Sequence, residues 1–359
     1  MSDTSGWGSP GPYGGPPAGW GWTPPPPPPK PGVIPLAPLG VDHVFGGAFT
    51  AMRRYAKPLF GLAALVQLAL VVLIGGAAVL AYFSVSDRLD VLYDIDRRPR
   101  WSDVQPVLVA FGSVWAFAMI AMLVGSAFVQ ASCVATLHDA VLGRRTGIGQ
   151  VWRRTWPRTL SVLGVNLLMG LILLIPVLLF AAMAVSLFAA MLARSDSLVG
   201  IFFLLLLLAL PLAVWLWVLF SFAPAAAVLE AARPVEALRR SVRLMRGAWW
   251  RTFGITLLGG LTVLIVSLVL RLPTVFTTPR PQPYDPSSPQ PTSMSDAFAQ
   301  SLPHLGLSFT VSTVLSIVAQ LFTMVFMPLI TTLLYIDRRI RREGLADVLL
   351  RAAESDPRG

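Results

Sequence analysis

The sequence RRSVRLMRGAWWR, residues 239–251, decides the fold class of this chain. It places five arginines and two adjacent tryptophans directly before an uncharged run that opens with Phe253 and Gly254. Arginine collects on the cytoplasmic side of membrane helices, and tryptophan prefers the level of the lipid headgroups. The stretch therefore predicts a cytoplasmic elbow, meaning an interfacial segment that leads into a membrane helix.

Two weaker elbows precede other uncharged runs, at Met52-Arg53-Arg54 and at Trp152-Arg153-Arg154. An arginine near an anionic leaflet gains on the order of 1 kcal/mol, so these segments are candidates for lipid contact. The same forces also explain the elbows as topology signals alone, and both interpretations stay open. The candidate residues for contact with an anionic lipid or a partner are Arg53, Arg54, Trp152, Arg153, Arg154, Arg239, Arg240, Arg243, Arg246, Trp249, Trp250 and Arg251.

The composition excludes an ordinary soluble protein. Of 359 residues, 55% are hydrophobic and 13% charged, and the mean hydropathy is +0.68. The formal net charge of +10 comes from 28 basic residues, and most of them flank apolar runs, so the membrane surface explains this charge before nucleic acid does. The single cysteine, Cys133, lies inside an apolar run and predicts a packing residue without a disulfide or a cysteine metal cluster.

Six uncharged runs are long enough to cross a bilayer, which takes about 20 helical residues. The predicted fold class is therefore all-α, a polytopic membrane protein with interfacial amphipathic elbow helices. Apolar residues recur every three or four positions in two of the elbows, at 41–57 and 234–249. The predicted spans are about 59–83, 106–131, 160–192, 198–223, 252–270 and 305–336.

Three regions are expected along the chain. Residues 1–40 contain 13 prolines and predict a disordered Pro/Gly/Trp-rich cytoplasmic tail, since such a segment buries too little apolar surface to fold. Residues 41–345 form the six-helix membrane domain, and residues 346–359 form a C-terminal cytoplasmic tail. The polyproline run at 24–29 is either a docking site for a protein partner or a solvated tail.

Arginine placement predicts the orientation. The N-terminal tail, the loops after the second and fourth spans, and the C-terminus hold 21 of the 28 basic residues, which places both termini in the cytoplasm. Each elbow precedes an odd-numbered span on that side. Three elbow-plus-hairpin repeats account for this arrangement, although chance resemblance stays an alternative.

The sequence predicts no catalytic, cofactor or metal site. The span cores carry no ionisable residue, and their polar side chains, such as Gln67, Asn166 and Gln320, suit packing between helices. Three histidines are dispersed, and Asp94-Ile95-Asp96 is followed by arginines that favour salt bridges over metal binding. Near the C-terminus the four-residue spacing predicts surface ion pairs between Asp337 and Arg341 and between Arg339 and Glu343, with a partner-docking surface as the alternative.

Three segments carry a family resemblance. They are Pro38-Leu39-Gly40 through Phe49, Ala237-Leu238-Arg239-Arg240-Ser241 through Gly247, and Tyr335-Ile336-Asp337-Arg338-Arg339 through Gly344. With them the chain resembles a family of uncharacterised actinobacterial integral membrane proteins over residues 36–345. It is similar, more distantly, to the membrane domain of some bacterial glycerophosphodiester phosphodiesterases. The resemblance implies architecture and a bacterial cell membrane location, and no catalytic residue carries over, because the catalytic domain is not expected here.

Two functions follow as hypotheses. The first is a non-enzymatic membrane protein that organises lipids or partner proteins at the cytoplasmic face, through the elbows and the tail. The alternative is a transporter or permease subunit, which requires a polar site between the helices at Gln67, Asn166 or Gln320. We do not expect an enzyme.

Overall fold

The computed structural model describes residues 32–35, 37–93, 100–144, 147–193, 196–277 and 294–344. Most of the Pro-rich tail, the Asp94–Asp96 motif and the C-terminal tail lie outside these residues. The described residues form helices and no strands. The helices are α1 (Val41–Arg54), α2 (Ala56–Tyr93), α3 (Trp101–Val141), α4 (Ile148–Ala193), α5 (Asp196–Phe220), α6 (Ala223–Leu229), α7 (Pro234–Met245), α8 (Trp249–Thr277) and α9 (Met294–Glu343).

Six stretches of the described chain are long and apolar enough to cross a membrane. Five lie in α2, α3, α4, α8 and α9, and the sixth, Leu204–Leu229, runs from α5 through α6. They confirm the predicted fold class of a polytopic all-α membrane protein. Most helices extend beyond the predicted uncharged spans, but α5 ends at Phe220, before the predicted end at 223. The 41 residues of α3 would be about 60 Å long at 1.5 Å per residue, twice the hydrocarbon thickness of about 30 Å.

Three antiparallel hairpins form the bundle. Extensive contacts join α2 to α3, α4 to α5, and α8 to α9, and the contact of α3 with α4 is as extensive as that of α8 with α9. Helix α3 joins the hairpins, since it also packs against α4 and α9, whereas α5 and α8 meet at only a few positions. The pairing of the spans agrees with the expected hairpins, whereas the elbow-plus-hairpin repeat stays a prediction. A gap separates the second hairpin from the third.

The elbows differ from one another. Helices α1 and α7 are separate amphipathic helices, and α7 ends before Gly247, whose φ of 71° is a left-handed conformation that terminates helices. The expected second elbow is not separate, because Trp152-Arg153-Arg154 lies in the first turns of the continuous helix α4. No residue described between Ile148 and Leu160 has a positive φ that would break this helix.

The buried core lies at one end of the bundle, which we call the basic end because α1, α6, α7 and the last turns of α9 lie there. On α3 the buried residues lie between Gly125 and Val141, while Leu108 and Trp115 nearer the other end are 56% and 68% exposed. Exposed apolar side chains along the helices suit contact with lipid. The basic end is therefore the well-packed part of the molecule.

Candidate site: two ionic clusters and an arginine surface at the basic end

One buried carboxylate joins three parts of the chain. Asp337, on α9, has a relative exposure of 0%. Its Oδ1 accepts hydrogen bonds from the backbone N–H of Leu39 and from Nε of Arg341, both at 2.8 Å. Its Oδ2 accepts a hydrogen bond from the guanidinium of Arg251 at the start of α8. Charge-assisted bonds to both oxygens offset the desolvation of the carboxylate. These four residues are the Asp337 cluster.

The same two arginines also bind the peptide group of Leu39. Its carbonyl accepts hydrogen bonds from Nη2 of Arg251 at 2.6 Å and from Nη2 of Arg341 at 3.0 Å. Both backbone polar groups of Leu39 are therefore used, although the residue is fully buried. The cluster fixes the segment before α1 against α8 and α9.

That segment, residues 32–35 and 37–40, forms a strap across the end of α3. The N–H of Val33 donates to the carbonyl of Ala140 at 3.2 Å, in the last turn of α3, where helix carbonyls lack partners within the helix. Val33 and Ile34 are buried. A Cβ at Gly32 would lie 2.1 Å from the Ala140 oxygen, so this close approach requires glycine.

A second cluster surrounds Glu230, which follows α6. Its carboxylate accepts hydrogen bonds from Arg240 on α7 at 3.0 to 3.1 Å and from the Tyr335 hydroxyl at 2.5 Å. Arg339 lies 3.5 Å away. Glu343 completes the cluster through ion pairs with Arg240 at 2.5 Å and with Arg339 at 2.9 Å. The Glu230 cluster thus ties α6 and α7 to the last turns of α9.

The hydrogen bonds and charges of this cluster shift the pKa values of Glu230 and Arg240. Burial raises the pKa of Glu230, but hydrogen bonds from Tyr335 and Arg240 outweigh it and hold the pKa below its ordinary value. Burial lowers the pKa of Arg240, while the bonds to Glu230 and Glu343 outweigh it and raise the pKa above its ordinary value. Both groups are therefore charged at neutral pH.

Both ion pairs expected near the C-terminus are present. Arg341 Nε lies 2.8 Å from Asp337, and Arg339 Nε lies 2.9 Å from Glu343. The expectation that these are surface pairs is wrong for Asp337, which is fully buried. The spacing in sequence showed the neighbours within α9 but gave no information on Arg251, which approaches from another helix.

The candidate arginines of the elbows fall into two groups. Arg240 and Arg251 belong to the clusters, and Arg154 pairs with the buried Asp139 at 3.1 Å. Arg54 lies 6.0 Å from the Tyr55 ring centroid. The remaining candidates are exposed and have no acidic partner among the residues that the structure describes. They are Arg53, Arg153, Arg239, Arg243 and Arg246.

The elbow tryptophans form two aromatic groups. Trp152 stacks on Trp156 with ring centroids 6.0 Å apart. Trp249 stacks on Phe253 at 5.1 Å, and Trp250, which is 78% exposed, meets the Trp249 ring edge-on at 4.8 Å. Within the described part of the chain, the buried Nε1 of Trp249 has no hydrogen-bond acceptor.

An internal cavity of about 150 Å³ lies where α3, α4, α5, α6 and α9 converge. Polar side chains among its lining are Gln130, Asn166, Ser221 and Thr331, together with aromatic and methionine side chains. The buried Oε1 of Gln130 has no partner among the described residues. A cavity of this size, with a mainly apolar lining and a few polar groups, suits water or a small uncharged solute.

The two glutamines that the sequence singled out, Gln67 and Gln320, line a different space. Gln67 and Gln320 border a groove of about 690 Å³ between the first hairpin and α9, with methionine and leucine around them. Of the three alternative positions for a polar site, Asn166 therefore lines the cavity, and Gln67 and Gln320 line the groove. A third space, of about 640 Å³, is the gap between α5 and α8, which Trp249 and Trp250 border.

Sequence reasoning missed the Glu230 cluster. Its signal was the isolation of Glu230, which is the first acidic residue after Asp196 and lies three positions before Arg233, where the basic elbow begins. A carboxylate so close to many arginines favours an ion pair. The contact with Tyr335, 105 positions away, had no local signal.

No group of three His, Cys, Asp or Glu residues that could hold a metal ion occurs in the described part of the chain. His43 lies beside Asp42 on α1, and His138 lies near the end of α3. The Asp94–Asp96 motif and the side chain of His304 lie outside the description.

The comparison with family models matches residues 39–337 to a domain of unknown function, DUF7847. The chain belongs to the DUF7847 family. The matched region begins at Leu39 and ends at Asp337, which are joined by the hydrogen bond described above. The first and last residues of the DUF7847 region are therefore in contact at the basic end. Neither the curated proteins nor the solved structures contain a match.

Proposed function

We propose that the chain is a non-enzymatic membrane protein that organises anionic phospholipids at the cytoplasmic face of a bacterial cell membrane. The exposed arginines of α7 and the following turn, Arg239, Arg243 and Arg246, carry this proposal, because no described acidic side chain neutralises them. An arginine near an anionic leaflet gains on the order of 1 kcal/mol, so three of them favour anionic over neutral lipid by about 3 kcal/mol. We call these three residues the arginine surface.

The proposal places the basic end in the cytoplasm. Most of the basic residues belong to this end or to the segments that leave it, and arginine is retained on the cytoplasmic side during insertion. An actinobacterial source fits the preference for arginine over lysine. The Pro-rich tail would leave the strap on the same side, where it could recruit a partner with an aromatic-lined groove.

The experiment compares phospholipids that remain bound during purification in mild detergent. Changing the arginine surface to glutamine (R239Q, R243Q, R246Q) should lower retained phosphatidylglycerol and cardiolipin, because three uncompensated charges are lost. Arg240 and Arg251 stay unchanged in this variant, since they stabilise the two clusters.

The control removes two exposed arginines from the other end, one of which, Arg88, lies 3.6 Å from Asp103. Arg88 and Arg100 lie near the connection between α2 and α3, so R88Q with R100Q should leave lipid retention at the wild-type level. Equal retention of anionic lipid by the arginine-surface variant and the wild type would contradict the proposal that these arginines bind anionic phospholipids.

A transporter or permease subunit is the second candidate, and the internal cavity favours it. The cavity lies between all three hairpins and brings the carboxamides of Gln130 and Asn166 to one space. Glycerol uptake into proteoliposomes tests this candidate, because a cavity of about 150 Å³ holds a molecule of about six non-hydrogen atoms. Replacing Asn166 with leucine should abolish uptake if the candidate is correct, and uptake no faster than in empty vesicles would exclude glycerol as the solute.

A relation to the membrane domain of glycerophosphodiester phosphodiesterases stays a prediction from the resemblance. It concerns architecture and supplies no catalytic residue to this chain. We therefore propose no enzymatic activity.

A further inference from the structure

The gap between α5 and α8 is a groove with an apolar wall on each side. Its walls are Leu207, Leu208, Pro211, Leu212 and Trp215 from α5, and Trp249 and Trp250 from α8. The groove is shallow and open along the outside of the bundle, and its volume of about 640 Å³ lies within the range of about 300 to 1,000 Å³ that is typical of ligand sites. We call it the tryptophan groove.

The groove follows the axis of the membrane-spanning helix α5, which is also the direction of a lipid acyl chain. Helix α5 ends at the basic end, so Trp215 lies nearer that end than Leu207 does. Eight residues separate them, which corresponds to about 12 Å along a helix. Trp249 and Trp250 begin α8 and border the groove near the basic end.

The tryptophan wall is held in place by its neighbours. Trp249 stacks on Phe253 with an angle of 9° between the rings, and Trp250 stands at 89° to Trp249. Trp250 is 78% exposed, so its ring offers a large surface to a molecule in the groove. A rigid wall lowers the entropy cost of binding.

Positive charge lies just beyond the basic end of the groove. Arg246 precedes Trp249 by only three residues, and Arg243 lies in the last turn of α7. Both are exposed, and the structure describes no acidic partner for either side chain. An apolar groove that leads to unpaired arginines complements a molecule with a long apolar chain and an anionic head.

We propose that the tryptophan groove holds one acyl chain of an anionic phospholipid, whose phosphate lies beside Arg246 and Arg243. The inference rests on the proposed function and adds the location of a single, tightly held lipid. The bound lipid fills the gap that the few contacts between α5 and α8 leave, so it also connects the second and third hairpins.

The test blocks the groove without changing any charge. Leu208 is 57% exposed in the groove, and Leu108 is 56% exposed on α3, away from it. L208W should displace the lipid, while L108W makes the same substitution on an equally exposed site and should not. Native mass spectrometry of the purified protein, supplied in separate samples with phosphatidylglycerol or phosphatidylcholine, counts the lipids held by each variant.

We expect the wild type and L108W to retain one phosphatidylglycerol that L208W loses. A second variant, W250A, removes the exposed tryptophan of the α8 wall and should lose the same lipid while keeping its fold, because Trp250 is largely exposed. Thermal unfolding of each variant verifies that it is folded.

The outcomes separate this inference from the proposed function. If the arginine-surface variant loses anionic lipid but L208W and W250A keep it, the proposal that the groove holds the lipid is wrong, and the proposed lipid function stands. If L208W loses phosphatidylglycerol and phosphatidylcholine alike, the anionic specificity is overturned. A protein dimer without lipid in the groove, broken by L208W, would show that a second copy occupies it and would overturn the proposal.

Discussion

Asp337, near the end of α9, is buried against Arg251, at the start of α8, and this ion pair closes the basic end of the bundle. Arg251 belongs to the elbow that predicted the membrane fold, but its charge is used inside the protein. The elbow therefore has two parts, one that stabilises the fold and one, the arginine surface, that stays exposed.

The Asp337 cluster should contribute strongly to stability. D337N removes the charge that compensates Arg251 and Arg341, and we expect a loss of about 2 kcal/mol. This is less than for a fully buried pair because the two arginine side chains are 34% and 35% exposed. Unfolding in mixed detergent micelles measures the change, and D42N at the exposed Asp42 is the control that should change little.

The Glu230 cluster predicts a specific dependence on pH. The folded protein holds the pKa of Glu230 below its ordinary value of 4.5, so its charge contributes stability above that pH. The contribution is lost as the pH falls through the lowered pKa. The difference in unfolding temperature between wild type and E230Q should be constant from pH 7 to about pH 5 and should shrink below 4.5. A difference that grows on acidification would contradict the assignment.

The strap predicts opposite effects for two glycine substitutions. G32A should destabilise the protein by about 1 to 3 kcal/mol, because its Cβ would overlap the carbonyl of Ala140. G46A places a Cβ in open space within α1, so it should be neutral or stabilise by about 0.5 kcal/mol through helix propensity. Thermal unfolding of both variants is the measurement, and equal effects would show that the strap does not lie against α3.

The topology can be tested with single cysteines. In a C133A background, S102C lies at the start of α3 and G147C directly before α4, at opposite ends of the bundle. A membrane-impermeant maleimide should label S102C in intact cells and G147C only after permeabilisation, because the basic end is proposed to be cytoplasmic. The reverse pattern would place the arginine surface outside.

The six spans could be predicted because a long uncharged run such as 59–83 can satisfy its backbone hydrogen bonds within a bilayer by forming a helix. The two ion pairs within α9 followed from a four-residue spacing. By contrast, Leu39 and Asp337 are 298 positions apart, and their contact depends on how the hairpins pack. Trp152-Arg153-Arg154 resembled the other elbows, yet α4 continues through it without a break. Local patterns therefore gave the helices, and long-range packing determined which arginines stayed free.

The central claim is that the arginine surface binds anionic lipid, and the unfolding temperature of the purified protein tests it most directly. A ligand that binds only the folded state raises this temperature. Phosphatidylglycerol should raise it more than phosphatidylcholine does, and the difference should shrink at high salt and disappear in the R239Q, R243Q, R246Q variant. Equal stabilisation by the two lipids in the wild type would contradict the account.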